Sequence, residues 1–207
     1  MRDIAERIAQ GAERIVGRPP DDEQLGQFIK YLNLLVKWQY TSRMVGSSEP
    51  RWLVDNLILD SLLFLRVVPD GARSLLDFGS GAGVPGVPLR IIRPSLQTTL
   101  LESRRRRASF LKAVVRDVPL PGTVVIDRPA AEAIQGFDRP VDVVVMRCAG
   151  SLDDVLPLAE KFVAPGGLVA ASGPPTLARR SGVEWLEVPG IVPGTTRRFA
   201  LHRRPTT

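Results

Sequence analysis

The segment at residues 74–90, SLLDFGSGAGVPGVPLR, constrains the fold more than any other part of the chain. A short apolar run of strand character enters a loop containing Gly79, Gly81, Gly83 and Gly86, with Pro85 and Pro88 among them. Glycine reaches positive φ without steric cost and lets the backbone approach a ligand closely, so this is a strand-to-helix turn built around a bound group. Both prolines fit the first turn of a helix, where a missing N–H costs little. Gly81, Gly83 and Gly86 match the G-x-G-x-x-G spacing of a dinucleotide loop. Asp77, just ahead of the glycines, argues for a different adenosine cofactor. Two like charges about 4 Å apart repel by about 1 kcal/mol in water and about 4 kcal/mol at an effective dielectric of 20. A pyrophosphate avoids such a carboxylate, whereas S-adenosylmethionine brings an ammonium and a sulfonium; NAD stays open as the alternative.

The chain after this point alternates apolar runs with amphipathic stretches. Strands are expected at Ser74–Phe78, 98–102, Thr123–Ile126, 142–146 and 168–171, with helices over 105–115 and 152–162. That rhythm predicts an α/β fold with a doubly wound, mostly parallel sheet covered on both faces. The final stretch, GVEWLEVPGIVPGTTRRFALHRR, reads as two strands around a Pro/Gly turn, an antiparallel hairpin that closes the sheet. Ahead of the glycine loop, Ile4, Ile8, Ala12 and Ile15 recur at helical spacing before the breaker GRPP. A second helix begins after Asp21 or Asp22 and ends near Trp38, its stripe made by Leu25, Phe28, Ile29, Leu32, Leu35 and Val36. A third covers about 51–67. Residues 1–70 are therefore expected to form a helical extension, and 71–207 the cofactor-binding domain. In doubly wound sheets the ligand lies outside the carboxyl ends of the strands at the topological switch point. The glycine loop, Glu102 and Arg147 all follow strand ends and are expected together there. Glu102, 23 residues after Gly79, is placed to accept hydrogen bonds from ribose hydroxyls.

Composition narrows the chemistry. The 207 residues suit one well-buried domain with an accessory element. A single cysteine, Cys148, and a single histidine, His202, leave no disulfide framework and no Cys/His metal cluster, so no metal is expected. Cys148 reads as a small packing residue, because MRCAG lacks the proline-cysteine context of a nucleophile. No run of apolar residues is long enough to span a membrane, and MRDIAERIAQ has no signal-peptide core. A cytoplasmic monomer without a membrane partner is expected. The net charge of +6 is uneven: residues 1–70 carry 9 basic and 10 acidic groups, residues 71–207 carry 19 and 12. A basic excess confined to the cofactor-binding part favours a polyanion. Arg105 and Arg106, with Arg197 and Arg198 and then Arg203 and Arg204, are the candidate contacts to RNA phosphates; Arg179 and Arg180 flank a Pro/Gly segment without a clear role.

The stretch LLDFGSGAGVPGVPLRIIRPSLQTTLLESRRRRASFLKAV resembles the cofactor core of the bacterial 16S ribosomal RNA guanine-N7 methyltransferases, the RsmG family. Weaker likenesses run from about 28 to 203: YLNLLVKW, ILDSL, the residues Arg106, Arg107, Phe110 and Leu111, and VPGTTRRFALHRR. The resemblance implies a class I S-adenosylmethionine-dependent methyltransferase, a Rossmann-like seven-stranded sheet with an N-terminal helical extension. It also implies cofactor contacts at Gly79, Val84, Ala131, Glu132 and Arg147, beside Asp77, Gly81 and Glu102. Ribosomal RNA or the small ribosomal subunit would be the partner. The chain departs from the family pattern at three places. RMV, starting at Arg43, stands for Asn-Leu-Thr, LILDS for His-Ile-Leu-Asp-Ser, and ASGPP for a segment containing Leu-Lys-Gly. Guanine N7 has a free lone pair and no proton to remove, which suits a site poor in His, Cys and Lys. A same-fold enzyme acting on a small molecule and a noncatalytic RNA-binding relative are the competing readings.

Overall fold

The computed structural model describes residues 2–147, 151–172 and 182–206. Cys148, Arg179, Arg180 and the last three residues of ASGPP lie outside them. Seven strands form one sheet: β1 (Ser74–Phe78), β2 (Gln97–Leu101), β3 (Thr123–Ile126), β4 (Val141–Arg147), β5 (Val163–Ser172), β6 (Glu184–Pro189) and β7 (Thr196–Arg203). Their order is β3-β2-β1-β4-β5-β7-β6. Strands β1 to β5 pair in parallel, and β7 is antiparallel to both β5 and β6. The doubly wound sheet is the one the alternation predicts, and the hairpin turns back so that its second strand, not its first, joins the sheet. Chain order reverses between β1 and β4, which makes their carboxyl ends the switch point. The run VDVVVMR in β4 is buried on both faces, as a central parallel strand must be.

One face is covered by α1 (Arg2–Val16), α2 (Asp22–Ser42), α3 (Pro50–Leu53), α4 (Asp60–Leu62), α5 (Gly86–Ile92) and α6 (Arg105–Asp117). The other carries α7 (Ala130–Ala133) and α8 (Leu152–Ala159). Ile8, Phe28, Leu32 and Leu59 share one hydrophobic cluster with Val87, Ile91, Leu100, Phe110 and Leu111, so the core continues across residue 70 without a break. Polar side chains pin this layer down. The buried Gln24 donates to the Ile91 carbonyl at 2.9 Å, Gln27 donates to the Pro119 carbonyl at 2.8 Å, and the buried Tyr31 hydroxyl donates to the Ala82 carbonyl at 2.6 Å. Gln24 and Asp21 also make a capping box at the start of α2, the local signal that fixed that boundary in the sequence.

Three local differences from the expected elements have physical causes. Helix α2 runs past Trp38 to Ser42 and stops at Arg43, a left-handed C-cap with φ 40° whose N–H donates to the Gln39 carbonyl. Arg43 thus stands at a position that favours glycine or asparagine. The third helix is interrupted: α3 passes directly into a π-helical segment, Val54–Leu59, before α4 and a 3-10 turn, Leu63–Arg66. Periodicity analysis does not resolve a single widened turn. Helix α8 ends at Ala159, short of Phe162, which packs against Phe78 and Phe137 instead of extending the helix. Among the described residues no helix is long and apolar enough to cross a membrane.

Candidate cofactor cleft

A cleft of about 380 Å³ opens at the carboxyl ends of β1, β2 and β3. Its apolar walls are Phe78, Leu101, Ala130, Val155 and Leu158, and its polar rim includes Gly79, Glu102, Arg104, Arg107, Arg128 and Asp154. Its volume falls within the range of about 300–1,000 Å³ common for small-molecule sites. Apolar walls with a few converging polar groups suit a flat heterocycle attached to a sugar.

The loop geometry follows from the glycines. Gly79, Gly81 and Gly83 adopt φ of 73°, 55° and 86°, the left-handed region that side chains disfavour. Gly81 donates its N–H to Glu102 Oε2 at 2.9 Å, and Arg104 donates its N–H to Oε1 at 2.8 Å. Glu102 therefore holds the loop and the start of α6, and each carboxylate oxygen retains a lone pair for a further donor. Gly86 is required for a different reason. An added Cβ would lie 2.7 Å from Asp77 Oδ2 and from Leu100 Cδ2.

The expected site residues separate into three groups. Gly79 and Glu102 line the cleft. Gly81 is buried within the loop and Asp77 lies beneath it: Asp77 is fully buried, and its Oδ2 accepts the Gly86 N–H at 2.9 Å. Burial pushes the Asp77 carboxyl up to about 7 against the opposing Gly86 hydrogen bond, and the nearby Glu102 adds to the rise. A buried carboxylate of this kind is stabilised by incoming positive charge. The remaining four residues are elsewhere. Val84 packs partly buried against the N-terminal layer, and Ala131 and Glu132 are exposed beside Ala130, which does line the cleft.

Arg147 lies on the opposite face, under the π-helical segment. Its Nη2 donates to the Asn56 carbonyl at 2.8 Å and is 3.3 Å from Asp60 Oδ2. Arg197, an expected RNA contact, donates to Asp60 Oδ1, and Arg198 pairs with Glu187. Asp60 thus ties the helical layer to β4 and β7, with a side chain only 7% exposed. The sequence reading assigned no role to Asp60, and it missed Arg128, Asp154, Val155 and Leu158 in the cleft. Apart from Asp60, which lies within ILDSL, local motifs do not mark these residues; only packing brings them to the site.

Arg105 and Arg106 are exposed on the first turn of α6, with Arg104 exposed at its cap. Cations at a helix N-terminus oppose the macrodipole, at a cost of about 0.3–1 kcal/mol each. Their concentration beside the cleft therefore does not serve the helix, and it raises the local attraction for a polyanion.

Residues 24–173 match the family described as rRNA small subunit methyltransferase G. The ribosomal RNA small subunit methyltransferase G of Xanthomonas campestris pv. campestris (strain B100) is 31% identical over 201 residues, covering 91% of this chain and 91% of its own. The protein of that name from Anaeromyxobacter sp. (strain Fw109-5) is 33% identical over 154 residues, covering 74% and 71%. Among solved structures, an O-methyltransferase from Bacillus cereus in complex with SAH superposes with a TM-score of 0.57 at 14% identity, covering 84% of this chain and 90% of its own. The structural likeness is one of fold: the class I methyltransferase sheet, here with an N-terminal helical extension.

Proposed function

The chain belongs to the rRNA small subunit methyltransferase G family, and we propose that it transfers the methyl group of S-adenosylmethionine to N7 of a guanine in small-subunit (16S) ribosomal RNA. The observation that carries this reading is the cleft beside the switch point, where Glu102 and the open Gly79 face apolar walls and Arg104, Arg107 and Arg128 surround the mouth.

The residues present fit the cofactor. Glu102 has lone pairs for the ribose hydroxyls, and Phe78, Leu101, Ala130, Val155 and Leu158 offer apolar surface to an adenine ring. The buried Asp77 beneath the loop gives the cationic end an opposite charge in a low-dielectric setting. When bound, S-adenosylmethionine would supply an electrophilic methyl group to the N7 lone pair and would leave as the neutral thioether. No proton leaves, so the protein has no need of a general base and contributes alignment and proximity. Arg105 and Arg106 extend the positive field of the cleft toward RNA phosphates.

The test combines calorimetric titration with S-adenosylmethionine and incubation with small ribosomal subunits from cells lacking the modification, followed by mass spectrometry of the nucleosides. N7-methylguanosine in the 16S fraction is expected. Absence of cofactor binding overturns the reading. So does binding that is accompanied by methylation of a small molecule but never of the subunit.

A further inference from the structure

Four buried polar atoms without a hydrogen-bond partner among the described residues gather in one place: Asp60 Oδ2, Asp77 Oδ1, Arg147 Nη1 and Ser172 Oγ. Buried polar groups are nearly always paired, so a local concentration of orphans calls for a missing partner. Strand register brings them together. Arg147 lies opposite Ser172 across β4 and β5, and Asp77 lies opposite Val145 across β1 and β4. Side chains alternate along a strand, so Asp77, Arg147 and Ser172 share the face of Leu75, Val145 and Ala170, beneath the N-terminal helices. Asp60 reaches the same spot from above, 3.3 Å from Arg147 and hydrogen-bonded to Arg197 on β7. The π-helical segment presents the Asn56 carbonyl to Arg147, and Asp60, the residue that follows it, presents a carboxylate. Such turns are frequent at functional sites.

This patch is not the adenosine cleft. Phe78 and Leu101 of the cleft belong to the opposite face of the sheet, and the two regions meet at the end of β1. Resting on the reading of methyl transfer to guanine, we propose that Asp60, Arg147 and Ser172 form the acceptor-base subsite and hold the guanine by its Watson–Crick edge. That edge carries two donors, N1–H and the N2 amino group, beside the O6 acceptor. A carboxylate oxygen next to a guanidinium N–H is its complement: Asp60 Oδ2 accepts from N1–H and the amino group, and Arg147 Nη1 donates to O6. Ser172 Oγ serves as donor or acceptor beside them. Adenine would set its N1 lone pair against the carboxylate, and a site built on such bonds discriminates strongly against the wrong partner. An edge held this way leaves N7, on the imidazole ring, uncovered. Arg197 on the other Asp60 oxygen keeps the carboxylate in place and adds positive charge for the nucleotide's own phosphate.

The test uses small subunits reconstituted with RNA carrying guanosine or inosine at the methylated position. Inosine keeps N1–H and O6 and lacks the N2 amino group. The wild-type enzyme is expected to lose at least about tenfold in kcat/KM on inosine, the size of one lost hydrogen bond to a charged group. Asp60→Asn is expected to lose about 100-fold on guanosine, bind S-adenosylmethionine within about threefold of wild type, and show no more than about a twofold further loss on inosine. A purely structural role for Asp60 predicts instead that the two penalties multiply, and that result overturns the proposal. If Asp60→Asn does not fold, the wild-type ratio decides: inosine methylated as fast as guanosine overturns the subsite. A wild-type enzyme that methylates no small-subunit RNA overturns the underlying reading, and this is seen before any inosine comparison is made.

Discussion

Replacing Asp77 by asparagine removes a buried charge while keeping the shape and the oxygen that accepts the Gly86 N–H. Burial places the folded carboxyl at about 7, against 3.8 for the exposed group. Because the folded value is the higher one, the folded chain holds the proton more tightly than the unfolded chain. The stability this gives is complete below about pH 4 and is lost as pH rises through about 7. A shift of this size corresponds to about 4 kcal/mol, which relaxation of the glycine loop reduces to about 2–4 kcal/mol in practice. Urea denaturation of both proteins from about pH 4.5 to 8 measures it. The stability of Asp77→Asn relative to wild type is expected to grow by that amount across the range, whatever constant offset the new amide introduces. Cofactor binding near pH 7 is expected to release a fraction of a proton from wild type and none from the variant, read by calorimetry in buffers of different ionisation enthalpy. Parallel stability curves, with a difference that moves by less than about 0.5 kcal/mol, refute the view that Asp77 is a desolvated acid beneath the loop.

Arg43→Asn relieves a left-handed C-cap at φ 40° and is expected to raise stability by about 0.5–1 kcal/mol, seen as an increase in Tm of about 1–4 °C. Gly86→Ala drives a Cβ to within 2.7 Å of Asp77 Oδ2 and Leu100 Cδ2, so chemical denaturation is expected to show a loss of about 1–3 kcal/mol together with weaker cofactor binding. The double variant Arg105→Ala/Arg106→Ala removes two exposed cations from the first turn of α6. Its RNA affinity is expected to fall and the log-log salt slope to shrink by about 1 to 2, while Tm holds or rises because the helix dipole is relieved. An unchanged salt slope would place the RNA elsewhere.

Much of the fold was legible because it rests on short-range patterns. The alternation of apolar runs marks parallel strands, since a strand buried on both faces tolerates few polar residues, and VDVVVM identifies β4 on that ground alone. Asp21 and Gln24 announce the start of α2 through a capping box that spans four residues. The glycine loop was equally plain, because positive φ is a demand on a single residue. The π-helical turn left no such mark, and neither did the way the hairpin enters the sheet. Both depend on which surfaces the segments meet after they form.

The site divides along the same line. Glycines 79, 81 and 83, the acid at the end of β1 and the acid at the end of β2 belong to one continuous stretch of chain, so their chemistry and the class of cofactor they suit could be read directly from residue order. The patch made by Asp60, Arg147, Ser172 and Arg197 could not. Arg197 bonds to a carboxylate 137 positions away, and Arg147 to a carbonyl 91 positions away. Residue order carries information about neighbours along the chain, whereas the contacts that turn two arginines inward are created by sheet register and by a helix packed across it. The arginines first seen as loose positive charge thereby divide into an exposed group on α6 and two cations held by a single buried carboxylate.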